Sequence, residues 1–428
     1  MKKLTAIILA AILALCLIGG AAAQDKPYEG VTLNVLGNSS SPSTHMQERL
    51  AQFTEETGIK VNYEQLSNDQ LNTKILVSMA AGGKDLDVFM FMAYQNTKMY
   101  VQNGWLEPLD QYLTEEFAID DFLAGGRQAS TVDGVLYGIP HGSEYGVLFY
   151  NKTMINDAGV DLAGIKTWED LVAACATVEE KLPGTHGIAI RGSGHGSAAV
   201  VMPLVRAYGG DHFDAEGNAA FNSPEFAKGI GIYADLLKYG QEGASAMSWS
   251  ETCNVFAQRQ TAFRYDSDSQ YTYLIDPDSS LVKPEELGFM AVPAGDVCAN
   301  TYLGNWSIGM SYGSENKGAA WEFIRWMNNK EACIDSTVSF GSPIARQSTI
   351  DNAEVQAKYP DGYLDCIADS AAIAAGGPLP NMIYSTEART YMGEAFDEIY
   401  AGGDLQENLD ILNENIQELI DQEREEAQ

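Results

Sequence analysis

The stretch that decides the fold is "DVFMFM" at 87–92. After Asp87 every residue is apolar, without the alternation of a strand that has one wet face. The run is too short for an ordinary helix, so it reads as a strand covered on both sides. Upstream, "VTLNVLG" at 31–37 reads as a second buried strand. "IKVNYEQ" at 59–65 places Ile59, Val61 and Tyr63 on alternate positions, as a half-buried strand does. Between these two, Met46, Leu50 and Phe53 share one face of a helix over 44–57 that Gly58 closes. Leu71, Ile75 and Met79 mark a further helix, stopped by Gly82 and Gly83. Strand and helix alternate, which predicts an α/β fold on a parallel sheet.

The same alternation resumes downstream. "TWED" at 167–170 is a capping box ahead of Leu171, Ala174, Val178 and Leu182. "GIAIR" at 187–191 is the strand that follows, and the loop after it enters an apolar helix carrying Pro203. Leu405, Leu409, Leu412, Ile416 and Leu419 define a last amphipathic helix. No internal repeat or low-complexity linker interrupts the chain. At 428 residues it exceeds one ordinary core, so two lobes joined by short crossings are expected. "LYGIP" at 136–140 and "GVLFYN" at 146–151 are the first candidate crossings.

The start of the chain belongs to neither lobe. Lys2 and Lys3 precede an apolar run from Leu4 to Gly20, then three alanines and Gln24. This is the pattern of a secretory signal peptide over 1–23. A membrane anchor is the second reading. A third takes Leu13-Ala14-Leu15-Cys16 as a lipobox, with Cys16 lipidated. With 26 basic against 59 acidic residues, a formal charge of −33, the protein repels nucleic acid and anionic membrane. The cysteines after Cys16 (Cys175, Cys253, Cys298, Cys333 and Cys366) form no CxxC and no His/Cys spacing, so neither a disulfide framework nor a metal site is expected. Cys175 falls on an apolar helix face.

"GIAIRGSGHGSAAV" at 187–200 raises the question of a phosphate loop. A P-loop needs a lysine and a hydroxyl residue after its last glycine, and Gly196 is followed by Ser197-Ala198-Ala199. The spacing G-x-G-x-G is not the dinucleotide fingerprint either, and no cofactor is expected. Open α/β sheets bind ligands beyond the carboxyl ends of their strands. On that rule Arg191 offers a fork of donors, and the glycines let a ligand near the backbone. The rule also selects Asn38 and Ser39 after the first strand, Tyr94 after "DVFMFM", Asp266 to Asp268 after "TAFRY", and Asn305 and Trp306 after "TYLG". Carboxylates and an arginine bond hydroxyls strongly once water is excluded, and an aromatic face covers C–H surface. The mixture suits a polyhydroxyl guest.

By this point the chain resembles a family. "FTEETGIKVNYEQ", "DLDVFMF", "NGWLEPLDQYL", "VDGVLYGIP", "TWEDL", "NKGAAWEFIRWM" and "GGPLPNM" occur in the order seen in extracellular solute-binding proteins of ABC sugar importers. "GIAIRG", "FNSPEF", "AFRYDS" and "GNWS" are most similar to the branch that binds polyols such as sorbitol and mannitol. The resemblance implies a periplasmic-binding-protein-like fold. Lobe one would comprise 24–140 and 301–345, and lobe two 141–300 and 346–428. It implies ligand contacts at Glu144 in "HGSEYG", Arg191, Asp266 and Trp306. Tyr145, His195, Asn38 and Tyr94 join them from the reading of strand ends and crossings. It further implies a monomer that is exported to the periplasm or cell surface, closes over a sugar or polyol, and docks on a membrane permease served by a separate ATPase. The chain departs from the polyol pattern at Arg264, where an aromatic is usual, and at Ser307, Ile308 and Met310, where further aromatics are usual. Two other functions stay open: a polyamine or other cation binder using Glu144, Asp266 and Asp268, and a secreted glycoside hydrolase using Glu144 and Asp266 as its carboxylate pair.

Overall fold

The computed structural model describes residues 26–426, apart from the side chains of Asp69 and His195. The signal-peptide reading over 1–23 and the lipidation reading at Cys16 fall outside the described residues. The strands are β1 (Thr32–Asn38), β2 (Lys60–Leu66), β3 (Val88–Met92), β4 (Thr131–Val132), β5 (Val135–Leu136), β6 (Ile139–Asn151), β7 (His186–Ala189), β8 (Thr261–Ser267), β9 (Leu287–Met290) and β10 (Leu303–Met310). All but the short β4–β5 hairpin join one sheet in the order β2-β1-β3-β10-β6-β8-β7, with β9 beside β6.

The apolar run of β3 is covered on both faces, as its sequence demands. Val88 and Met90 face a cluster with Leu33, Val35 and Phe53, while Phe89 and Phe91 face another with Leu36, Leu71 and Ile75. Its neighbours differ in direction. β1 pairs with it in parallel, and β10 pairs antiparallel, Met310 opposite Val88. The expected all-parallel sheet is therefore a mixed one. β10 arrives from the far half of the molecule, after β9, and runs back along β3 instead of following a helical crossover.

β6 is the spine of the fold. "LYGIP" and "GVLFYN", read as two crossings, contribute to one 13-residue strand. Its first half pairs with β10 and its second with β8 and β9. Around that second half, Leu148, Ile188 and Phe263 face one apolar cluster; Val147, Phe149 and Ala189 face another. The sheet thus carries two pairs of cores, one at each end of β6. Local signals read from sequence recur here: Thr167 and Asp170 form the capping box of the helix Trp168–Lys181. The helix Leu405–Glu426 buries Leu409, Leu412, Ile416 and Leu419.

At the mouth between the two ends, the helix Ala93–Gln102 meets the C-terminal helices. Lys98 Nζ donates to Glu423 Oε1 at 2.9 Å and to the Asn381 carbonyl at 3.0 Å. Ser385 Oγ donates to the Gln95 carbonyl at 3.1 Å. The five described cysteines are free, Cys333 and Cys366 included, and Cys175 is buried in the core. Among the described residues, no helix is long and apolar enough to cross a membrane.

Candidate ligand-binding site

Three strands deliver charged groups to the middle of the molecule. β6 carries Glu144, β7 leads into Arg191, and β8 ends on Asp266 and Ser267, followed by Asp268. Arg191 grips Asp266 with two donors: Nε to Oδ2 at 2.9 Å and Nη2 to Oδ1 at 2.5 Å. Asp266 is fully buried, and the Ser267 backbone N–H adds a bond to its Oδ1 at 2.7 Å. Arg264 supplies a second cation, its Nη2 lying 3.2 Å from Asp266 Oδ2. The same Nη2 donates to Gln270, whereas Nε and Nη1 of Arg264 are buried without a described partner. Glu144 is partly exposed, and its Oε2 accepts from Ser267 Oγ at 3.1 Å. Asp268 accepts the Tyr145 backbone N–H at 2.6 Å.

These neighbours set the protonation states. Burial alone would raise the Asp266 carboxyl, but the charges of Arg191 and Arg264 and the bonds it accepts hold it below the ordinary range. Burial likewise opposes the charge of Arg191, and the Asp266 carboxylate overrides it, so Arg191 stays charged. Burial raises Glu144, and Asp266 adds to the rise. Asp268 is pushed up to about 8, by burial first and by the charge of Glu144 as well.

Trp306 belongs to the same surface. Register sets Gly304 opposite Glu144 and Trp306 opposite Gly142. Side chains alternate along a strand, so Glu144, Gly304 and Trp306 point to one face. Trp306 is partly exposed there. Of the eight residues selected from sequence, the structure therefore brings Glu144, Arg191 and Asp266 into one bonded cluster, with Trp306 on the adjoining surface. The other four stand differently. Tyr145 points to the opposite face, fully packed in an apolar cluster, and brings only its backbone N–H. Asn38 is buried and spends its Oδ1 on Ser40 and Ser43, which shapes its own turn. Tyr94 lies half-buried at the mouth, its hydroxyl 3.4 Å from the Gly125 carbonyl and its ring against Gly377. The side chain of His195 is outside those described.

The glycine loop needs a correction. A Cβ on Gly192 would meet the Ala244 carbonyl at 2.0 Å, and one on Gly194 would meet the Gly393 carbonyl at 2.0 Å. These two glycines admit neighbouring backbone, not a guest. Only Gly196 faces space, its nearest atoms on Ser193 at 4.0 Å.

Sequence reasoning missed Tyr302. Its ring centroid lies 5.7 Å from the Arg191 guanidinium. Burial first, then the charge of Glu144, raise its phenol well above the ordinary value. The signal was present in "TYLG", but only the register of β10 on β6 shows which of those residues faces the charges. A groove of about 610 Å³ elsewhere, beside β2, is bordered by Glu64, Lys74 and Asp85. All three are solvent-exposed, and none has the buried charge of the strand-end cluster.

Residues 38–332 match the model of the bacterial extracellular solute-binding protein family, and the chain belongs to that family. It is 28% identical over 306 residues to the mannitol-binding protein of Pseudomonas aeruginosa, covering 70% of this chain and 69% of that protein. It is 26% identical over 415 residues to the erythritol/L-threitol-binding protein of Mycolicibacterium smegmatis, covering 90% and 85%. Among solved structures, a solute-binding protein of Agrobacterium vitis S4 with bound D-mannitol superposes with a TM-score of 0.77 at 25% identity, over 93% of this chain and 99% of that one. One from Agrobacterium radiobacter K84 in complex with ribitol gives 0.81 at 23% identity, over 92% and 100%.

Proposed function

We propose that this exported protein captures a neutral polyol or sugar between two lobes and delivers it to the permease of an ABC importer, with a separate ATPase supplying the energy. The lobes are 24–140 with 301–345, and 141–300 with 346–428. Glu144, Arg191 and Trp306 hold the guest, with Asp266 contributing by fixing Arg191 from behind, and the protein acts as a monomer. It is freed by cleavage after the segment 1–23 or tethered through Cys16. Relatives that bind mannitol and erythritol or L-threitol support the polyol class.

The observation that carries the reading is the charge balance of the cluster. Arg191 and Arg264 stand against Asp266, Glu144 and Asp268. Burial raises Glu144 and Asp268, which offsets part of the excess of carboxylates over the two guanidiniums and suits a neutral guest. A polyamine would add uncompensated positive charge beside Arg191. Hydrolysis is disfavoured too. Asp266 is bound to two guanidiniums and is free to serve neither as nucleophile nor as proton donor, roles that glycoside hydrolysis assigns to its carboxylate pair.

Closure follows from differential binding. A guest bonded to groups of both lobes favours the closed form by the difference in its affinity for the two states. On this division of the chain, the Lys98 contacts to Glu423 and Asn381 join lobe one to lobe two and would favour closure. The test is a thermal-shift series with D-mannitol, ribitol, erythritol, maltose and putrescine. A ligand at a hundred times its dissociation constant adds about 2.7 kcal/mol of stability. Stabilisation by an alditol and none by putrescine supports the reading; the reverse pattern defeats it.

A further inference from the structure

Tyr302, just ahead of β10 with its carbonyl accepting the Gly146 N–H, and Gly304 and Trp306 on β10 alternate toward the face of Glu144. A methyl group on residue 304 would come within 2.3 Å of the Tyr302 hydroxyl and 2.9 Å of the carbon that bears it. The phenol thus occupies the space that any side chain at 304 would take. It is 7% exposed, with its ring beside Arg191. Its hydroxyl bonds to none of the described residues, although it lies close enough to feel the charges of Glu144, Arg191 and Asp266. Unlike the Tyr100 hydroxyl, which is sealed from water without a partner, this hydroxyl keeps contact with solvent, where a guest can reach it.

Residues two apart on a strand are separated by about 7 Å. Tyr302 covers the backbone at Gly304, and Trp306 stands one such step further. The phenol therefore fills the floor of β10 over Gly304, one such step from Trp306.

We propose that Tyr302, seated on Gly304, is the specificity-determining wall of the binding site: its hydroxyl bonds one hydroxyl of the guest, and its ring limits the guest to a single short polyol or monosaccharide unit. This rests on the reading of the strand-end cluster as a polyol or sugar site. A phenol suits the task because it both donates and accepts. Between the donors of Arg191 and the carboxylate of Glu144, it completes a ring of partners for a guest hydroxyl. Gly304 is required for the arrangement, since only a residue without a Cβ leaves the phenol its seat.

The experiment titrates D-mannitol and maltose calorimetrically into the parent, Tyr302→Phe, Tyr302→Ala and Gly304→Ala proteins, with a thermal melt of each. The parent is expected to bind D-mannitol at least about a hundredfold more tightly than maltose. Tyr302→Phe keeps the ring and the melting temperature and loses about tenfold in D-mannitol affinity, the worth of one buried hydrogen bond to a guest. Gly304→Ala pushes the flexible end of Tyr302 into the floor and weakens D-mannitol by a similar factor. Tyr302→Ala uncovers the floor and raises the maltose-to-mannitol affinity ratio at least about tenfold. If the parent binds D-mannitol while Tyr302→Phe and Tyr302→Ala leave affinity and preference unchanged, or if the parent takes maltose equally well, the inference about Tyr302 is overturned and the polyol or sugar reading survives. If the parent binds neither compound nor any alditol, that reading fails and the inference falls with it.

Discussion

Asp266 is the hinge of the electrostatics, and its replacement by Asn tests the cluster most severely. The carboxylate is fully buried and takes two bonds from Arg191 and a contact from Arg264. Arg264 is itself fully buried, with Nε and Nη1 already unpartnered. Asp266→Asn keeps the shape of the side chain and leaves two guanidiniums without an anion. Removing one partner of a buried pair costs about 3–5 kcal/mol. For a lobe of this size each kcal/mol moves the melting temperature by about 2–4 °C, so a fall of about 10 °C is expected. Arg191→Met is milder. Asp266 then retains Arg264 at 3.2 Å and the Ser267 N–H at 2.7 Å, and Arg264 keeps its counterion. About half the fall is expected. The assay is differential scanning calorimetry of the ligand-free proteins at pH 7, where Asp266, held below its ordinary range, is fully ionised. A melting temperature for Asp266→Asn within 2 °C of the parent, or a larger fall for Arg191→Met than for Asp266→Asn, would refute the argument that one carboxylate neutralises two cations.

Four further outcomes are expected. Asp268 has its pKa raised to about 8, so the stability it favours is full at low pH and is lost as pH rises from its ordinary range through 8. Asp268→Asn mimics the protonated group, and its melting temperature should gain on the parent's between pH 5 and pH 8; parallel pH curves would contradict this. Lys98→Ala removes the contacts to Glu423 and Asn381 and should weaken alditol binding about two- to fivefold, less so in high salt, as measured by titration. Trp306→Ala should cost about tenfold in alditol affinity through loss of an aromatic face, with a fall in melting temperature as well, since the ring also packs against two apolar clusters. Gly194→Ala drives a Cβ to 2.0 Å from a backbone carbonyl and should lower the melting temperature by about 5 °C, whereas Gly196→Ala, with open space, should not.

How far the sequence could be read depended on whether local pattern or long-range register decided each feature. β3 was legible because a strand covered on both faces must be apolar at every position. The capping box at Thr167 and Asp170 and the stripe of the last helix were legible for the same reason: their causes lie within one turn of chain. The direction of β10 was not, because antiparallel pairing with β3 is set by residues more than two hundred positions apart. β6 looked like two crossings because its hydrophobic pattern breaks at "HGSEYG", where the strand trades a core for the polar cluster. Arg191 and Asp266 could be selected from the rule that strand ends face the crevice, whereas Glu144, inside β6, came from the family resemblance. Asn38 satisfies that rule yet serves a turn, and Tyr145, taken from the crossing, serves a core. The glycines after Arg191 signalled close approach without saying of what, and the approaching groups are Ala244 and Gly393. Tyr302 needed the register that sets Gly304 opposite Glu144.

The central claim is that a neutral hydroxyl-bearing guest lies over the Arg191–Asp266–Glu144 cluster, against Trp306. A crystal structure with the tightest-binding alditol tests it directly. The account expects one guest molecule with hydroxyl oxygens within hydrogen-bonding distance of Arg191 and Glu144 and carbon atoms against the Trp306 ring. A guest seated elsewhere, with the cluster still sealed by its own ion pairs, would contradict it.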